Sequence, residues 1–301
     1  MKKIIFALSI ALGAVVFYSC GKDEALTPNA TFDEAATGND PTGNGGGTTG
    51  GGATGGGAIP VGDVPDSFTK KVVLEENTGE WCGWCPEGAK IMEDNIIANP
   101  NTVIGIAIHS GDPMAVDAYN IWQKRETGVT GLPSGSIDRA DASNRGTWTT
   151  AIRSNLVQVP ELGIALDATE SNNKLNLDVY IGYNVSITEN TKLTVVLTEN
   201  DVDQSSPGAQ DNYSSTVTID ANWKHSHVLR GVITSTVSGD DIALNSTEKY
   251  TKVSFNDVDI SNFNIADKAN VHIVAFIHKN ETPMKIFNAQ QCSLNELRVW
   301  E

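Results

Sequence analysis

"EWCGWCPEGAK", residues 80–90, decides how this chain is read. Two cysteines, Cys82 and Cys85, stand two residues apart; each follows a tryptophan, and Pro86 follows the second. On the N-terminal side, "KKVVLEEN" (70–77) is a short strand-like run. On the C-terminal side Ala89, Met92 and Ile96, joined by Ile91 and Ile97, recur at helical spacing, and Pro100 closes the segment. Pro86 suits a first helical turn, where a missing N–H breaks no bond. A cysteine pair between a strand and a helix start has a chemical meaning. Unpaired N–H groups and the helix dipole stabilise a thiolate there, and a more acidic thiol both attacks and leaves readily. This reading puts Cys82 at the helix start as the attacking thiol and Cys85, one turn along, as the resolving thiol. Glu80 and Glu87 oppose it with like charge near Cys82, so the expected acidity is modest. The alternatives are an inert staple and half of a zinc site. Zinc needs four ligands, and of the five histidines only His225 and His227 stand close together. No metal and no other cofactor is expected.

Working outward, "TVIGIAIH" (102–109) is a run typical of a strand covered on both faces. Residues 114–126 suit a helix, "GVTGLPSGSIDR" (128–139) a loop and then a strand, and 147–158 a closing helix with Trp148, Ile152 and Leu156 apolar. Strands alternating with helices imply a central sheet with helices on its faces. After Pro160 the period becomes two. Apolar and polar residues alternate on both sides of Ser171–Lys174, a hairpin signal, and "KLTVVLTEN", "STVTID", "HVLRGVIT", "KYTKVSFNDVDI" and "NVHIVAFIHKN" repeat the pattern. "MKIFNAQQCSLNEL" adds a last strand, in which Cys292 reads as a small buried hydrophobe. The fold class expected is α/β plus all-β: a first domain over 67–159 and an antiparallel β-sandwich over 160–301. Histidines 225 and 227 read as surface residues on one face of a strand.

Upstream, Met1-Lys2-Lys3 and the apolar run Ile4–Phe17 form a targeting segment too short to span a bilayer, ending at Ser19-Cys20-Gly21. Residues 1–19 read as a signal peptide, and Cys20, just after the apolar run, resembles a bacterial lipoprotein's acylated first residue. Several acyl chains hold a protein on a membrane where one alone is marginal. Lys22-Asp23-Glu24 resembles the acidic signal that sends some Bacteroidetes-type lipoproteins to the cell surface. Residues 20–66 carry few large apolar side chains, and 43–57, "GNGGGTTGGGATGGG", are Gly-rich. Such a stretch reads as a disordered tether, reaching roughly 35–40 Å root-mean-square. The whole chain has 301 residues and a net charge of −16, which excludes a phosphate-binding surface and hence nucleic acid as partner.

Residues 67–160 resemble thioredoxin-like proteins, whose active site is Trp-Cys-x-x-Cys after the first core strand. That resemblance implies roles at further positions. Glu76, six places before Cys82, would be the buried acid that moves the resolving thiol's proton. Leu132-Pro133 in "GLPSGSID" would be the cis-proline element that pairs with the substrate backbone. Trp84 would be an exposed apolar contact for extended chains, with Trp81 beside it packed more against the domain. The chain as a whole resembles the outer-membrane-protein-28-related family of Bacteroidetes-type lipoproteins, through Glu75-Glu76-Asn77-Thr78-Gly79 before the CxxC, "HSHVLRG" (225–231) and "FNAQQCSL" (287–294). The expected function is thiol–disulfide exchange on extended or unfolded protein substrates. A redox partner protein is implied, and a cell-envelope location, periplasmic or surface-exposed, on an outer-membrane lipid anchor. The competing expectation is a non-enzymatic surface binding or adhesin-type lipoprotein in which the CxxC is a structural disulfide.

Overall fold

A computed structural model describes residues 48–50, 59–244 and 249–301. The expected signal peptide, Cys20 and most of the tether lie outside the described residues. The C-terminal end of that tether is packed: Val61 is buried beside Ala165 and Tyr180, and the Trp300 indole donates to the Gly62 carbonyl. Thr48–Gly50 (β1) pairs with Lys252–Ser254 of a later strand.

The helix-bearing part begins with β2 (Val72–Thr78), α1 (Cys85–Ala98) and β3 (Val103–His109). The strands β2 and β3 run parallel with α1 as the crossover. Next come α2 (Asp117–Thr127), β4 (Ser134–Ile137), β5 (Ser143–Asn144) and α3 (Trp148–Leu156). Gly128 ends α2 at φ 72°, a left-handed position that suits glycine. β4 lies antiparallel on the other side of β2. Every residue of β2 and β3 is buried. Alternate side chains therefore meet two covers. Val72 and Leu74 pack with Met92 of α1 and with Trp148 and Ile152 of α3, whereas Val73 packs with Tyr119 and Trp122 of α2. Losing a fully buried ring such as Trp148 costs about 3–5 kcal/mol.

The strands after residue 160 are β6 (Leu162–Ser171), β7 (Lys174–Tyr183), β8 (Thr191–Glu199), β9 (Val202–Asp203), β10 (Lys224–His225), β11 (Val228–Val232), β12 (Asp240–Ile242), β13 (Tyr250–Asp259), β14 (Val271–Lys279), β15 (Ile286–Ser293) and β16 (Leu297–Arg298). The β6–β7 hairpin turns at Asn172 and Asn173, both at positive φ. "STVTID" (215–220), expected as a strand, is irregular. Its residues are largely exposed and belong to a long connection between β9 and β10, so its alternation has no sheet face to serve.

Among the described residues the strands form a five-stranded sheet, β1-β13-β7-β6-β16, and a nine-stranded sheet, β15-β14-β8-β11-β3-β2-β4-β5, with β12 on β8. The larger sheet takes strands from both sides of residue 160. The junction is β11, which pairs antiparallel with β8 and parallel with β3, and Ala107 donates to the His227 carbonyl at 2.7 Å. One face of β8 and β14 packs against the five-stranded sheet, with Leu193, Val195 and Ile273 against Ile164, Val179 and Phe255. Cys292 lies in that core, where burial pushes its thiol up to about 12. The other face, with Val196 and Phe276, joins the α2 cluster. Helices α1 and α3 and the five-stranded sheet thus share one face of the large sheet, and α2 covers the opposite one.

Candidate active site at the Cys82–Cys85 disulfide

β2 runs out at Thr78, and the chain turns through hydrogen bonds from Cys82 N–H to the Gly79 carbonyl and from Cys85 N–H to the Cys82 carbonyl, both 3.0 Å. α1 then starts at Cys85, with Pro86 in its first turn. The two sulfurs are bonded at 2.01 Å. Cys85, not Cys82, therefore occupies the helix start; Cys82 sits in the turn before it and reaches the helix end through the shared bond. Cys82 is 6% exposed and Cys85 1%.

The cover over Cys82 comes from the β9–β10 connection, residues 204–223. Asp211 N–H donates to the Glu80 carbonyl and Tyr213 N–H to the Gly83 carbonyl, each at 2.7 Å, and Gln210 Nε2 donates to the Cys82 carbonyl at 3.3 Å. The Tyr213 ring lies on Gly83, where an added Cβ would stand 2.5 Å from it, and meets Trp84 edge-on. Carboxyl groups flanking the cysteines fasten both ends. The buried Glu80 accepts from Ser205 N–H and Oγ–H, and Glu87 accepts from Ser214 Oγ–H. Within the connection the buried Gln204 accepts from Gln210 N–H and donates to the Asp220 carbonyl. We call this element the strap. Glu87 also pairs with Arg145 at 2.6 Å, and those hydrogen bonds, from Arg145 first and then Ser214, hold its pKa below the usual carboxylate range. Its charge is thus balanced locally, whereas the sequence reading set it against Cys82.

Glu76, near the end of β2, is 1% exposed, with Oε1 lacking any hydrogen-bond partner. Burial pushes its pKa up to about 8. The carboxyl faces Gly88 of α1: a Cβ on Gly88 would collide with Oε1 and stand 3.1 Å from the Pro133 ring. A side chain at 88 would displace the acid, so the glycine admits it. Leu132–Pro133 is a cis peptide bond at the entrance to β4, with Pro133 buried and Leu132 half-buried. The structure thus brings Glu76 and Pro133 together at Gly88, in the first turn of the helix that Cys85 begins. Trp81 and Trp84, each just before a cysteine, have rings 53% and 45% exposed; the Trp81 ring stays outside although its N–H donates to the Ser110 carbonyl at 2.6 Å.

Sequence reasoning missed Ser205, Gln210, Tyr213 and Ser214, which follow Cys85 by 120 residues or more in a segment without periodicity. It also placed His225 on the surface. The ring is buried, 3.7 Å from the Glu80 carboxyl and edge-on to His109, and burial, with His109 adding to it, pushes its pKa down to about 3. His227 is partly exposed and pairs with Glu93 of α1 at 3.1 Å.

The model of the family described as "Outer membrane protein Omp28" matches residues 122–297, more than half of the chain. The chain belongs to the Omp28 family. That membership assigns it to the cell envelope. The matched segment of this Omp28-family chain holds β4, the strap and the strands beyond; the cysteine pair precedes it. Among solved structures, HBP35 of Porphyromonas gingivalis is similar over 77% of this chain and 78% of its own, at 19% identity and TM-score 0.66, a likeness of fold. A domain of the outer membrane lipoprotein Omp28 from Porphyromonas gingivalis matches 46% of this chain and 92% of its own, at 17% identity and TM-score 0.28. Protein AGR_C_4864 from Agrobacterium tumefaciens matches 76% of this chain and 96% of its own, at 13% identity and TM-score 0.48. No curated protein matches.

Proposed function

We propose that this Omp28-family protein is an exported thiol–disulfide oxidoreductase, anchored through an acylated Cys20, with a thioredoxin-like segment over 67–159 built onto a β-sandwich. The observation that carries this reading is the unpartnered carboxyl of Glu76 behind a CxxC disulfide, against Gly88 and Pro133. A buried acid without a partner is a stability cost of about 1–3 kcal/mol, and catalytic proton transfer is a reason to keep it. The order β2-α1-β3-α2-β4-β5-α3, with β4 antiparallel beside β2, supports the thioredoxin-like assignment. The loop closed by the disulfide is also short, the cysteines being 3 residues apart. Such a bond restricts the unfolded chain little, about 2 kcal/mol, which is a weak reason for a staple.

In the reduced protein the Cys82 thiolate attacks one sulfur of a substrate disulfide, and the other substrate sulfur leaves as a thiolate that takes up a proton. Glu76, as carboxylate, accepts the Cys85 proton. The Cys85 thiolate then attacks Cys82, expelling the substrate's second sulfur and restoring the 82–85 bond. The substrate gains two electrons, and a reductant of the dithiol class must return them. Trp81, Trp84 and Leu132 offer the apolar and backbone contacts for an extended chain. The test is reduction of a model protein disulfide by the reduced full chain. Cys82→Ser abolishes turnover, and Cys85→Ser accumulates a mixed disulfide on Cys82. Turnover that survives Cys82→Ser removes the proposal. The strap over Cys82 favours the second reading, a non-enzymatic binding lipoprotein with a sealed disulfide. That reading requires the 82–85 bond to resist mild reductant in the folded state.

A further inference from the structure

The strap holds residues 80–83 in the way one polypeptide holds another. Asp211 N–H and Tyr213 N–H, two residues apart, donate to the Glu80 and Gly83 carbonyls at 2.7 Å, and Gln210 Nε2 reaches the Cys82 carbonyl at 3.3 Å. Those acceptors are main-chain groups on both sides of the Cys82 side chain, and any chain with suitably spaced N–H groups can satisfy them. The Tyr213 ring and the Ser214 hydroxyl add side-chain selectivity. The ring covers Gly83, where no side chain intervenes, and stands edge-on to Trp84 with centroids 6.1 Å apart. The hydroxyl donates to Glu87 at 2.8 Å. Arg145 backs this seat, its guanidinium 5.4 Å from the centre of the Trp84 ring and paired with Glu87. Asp211, Asn212 and Tyr213 are all exposed, so the cover there is one chain thick. A surface segment held in this way is exchangeable for another chain.

We propose that the strap stands in the place of a protein substrate. The chain that reaches Cys82 carries an aromatic residue followed by a hydroxyl residue, and it takes over the Glu80 and Gly83 carbonyls, the seat on Gly83 and Trp84, and Glu87. This inference rests on the reading of the cysteine pair as an exchange centre and names what that centre selects. Cys82 is 6% exposed beneath the strap, so a substrate disulfide meets it only after the strap leaves. Leaving strands two carbonyls and uncovers Gly83 and Trp84. An incoming chain that remakes those contacts offsets the cost of opening, and one without the ring does so less well. The strap, tethered at both ends, competes at an effective concentration in the millimolar range. Selection is therefore a difference between two chains for one seat.

The experiment asks whether the strap's own sequence, supplied as a separate peptide, covers Cys82. Asp211→Pro/Tyr213→Pro in the full chain removes both N–H donors and the ring. This opened protein should be reduced by dithiothreitol about ten-fold faster than the parent while keeping a cooperative melt. A peptide of residues 208–215, Gly-Ala-Gln-Asp-Asn-Tyr-Ser-Ser, is titrated through ~1 mM, the concentration a tethered segment supplies. It should restore slow reduction saturably. The Tyr213→Phe peptide should protect equally, because the seat reads the ring, and the Tyr213→Ala peptide should need about ten-fold more. Tyr213→Pro alone keeps the Glu80 bond and should give the same ranking if the double variant does not fold. No saturable protection in the folded variants, or equal protection by the alanine peptide, overturns the proposal. Protection is read on the oxidised protein and needs no turnover. Turnover of a protein disulfide without peptide protection thus sinks this proposal alone, and protection without turnover sinks the exchange chemistry and leaves a seat that binds chains.

Discussion

At the scale of single residues, two buried acids in consecutive positions behave oppositely. Glu75 points toward α2 and is fully partnered: Tyr119 O–H donates to it at 2.5 Å and Arg139 Nε at 3.4 Å, while Arg139 also bonds His278 at 2.8 Å. Removing the guanidinium leaves the buried acid without its cationic partner, held only by the Tyr119 hydroxyl. Arg139→Met is therefore expected to lower unfolding free energy by about 3–5 kcal/mol in urea titration, and the Glu75→Gln/Arg139→Met double variant should lose less than the single one. Glu76 points the other way and has no partner on Oε1. Its folded pKa, about 8, lies above the ordinary carboxyl value of 4.5, so between those pH values the unfolded chain binds fewer protons and stability falls as pH rises. His225 does the reverse from about 3 to 6.5, because there the unfolded chain binds the extra proton. The two slopes oppose each other between about 4.5 and 6.5, leaving the Glu76 slope alone from 6.5 to 8. Thermal melts should show that alkaline decline in the parent protein and a flatter profile in Glu76→Gln; equal profiles would show that Glu76 does not titrate in that window. The burial of Glu76 was expected only through the thioredoxin-like resemblance, which sets an acid six places before Cys82. Its isolation was not, because what surrounds it comes from α1 and from the β4 entrance.

At the scale of elements, the strap is the feature that separates the observed site from an open one. Two main-chain hydrogen bonds, two carboxyl anchors and one tyrosine ring hold it on residues 80–87. Its residues outside the buried glutamines are largely exposed, so it opens at lower cost than the sheets beneath. Combining Gln210→Ala with Tyr213→Gly should speed reduction of the 82–85 bond by dithiothreitol about ten-fold with little change in the global melt. An unchanged rate would mean that the strap does not control access. Elements with a local cause could be read from the sequence. The apolar run of β3, Pro86 at the start of α1 and the paired asparagines of the β6–β7 turn each encode their conformation within a few residues. The strap could not be read this way, because Ser205, Gln210 and Tyr213 acquire meaning only from partners far back in the chain. "STVTID" misled for the same reason: alternation marks a strand only where a neighbouring strand exists to pair with it.

At the scale of the whole molecule, the change of period at residue 160 reports where helices stop, and the large sheet continues through it. β11 bridges β3 and β8, Asn288 of β15 donates to the carbonyls of Thr69 and Leu162, and Lys71 pairs with Glu301 at 2.5 Å. A fragment of residues 160–301 would expose the edge of β11 and lose the bonds to Thr69 and Lys71. It is expected to lack a cooperative melt, while the full chain unfolds in one transition by both tryptophan fluorescence and circular dichroism. Two separate transitions would assign independent stability to the two halves. The distance along the chain between the cysteines and their cover also sets an order of events. Gln210 follows Cys82 by 128 residues. A polypeptide threaded outward from its N-terminus delivers both thiols to the oxidising side well before the segment that will shut them in. On the export route proposed above, bond formation by an external oxidant would come before closure.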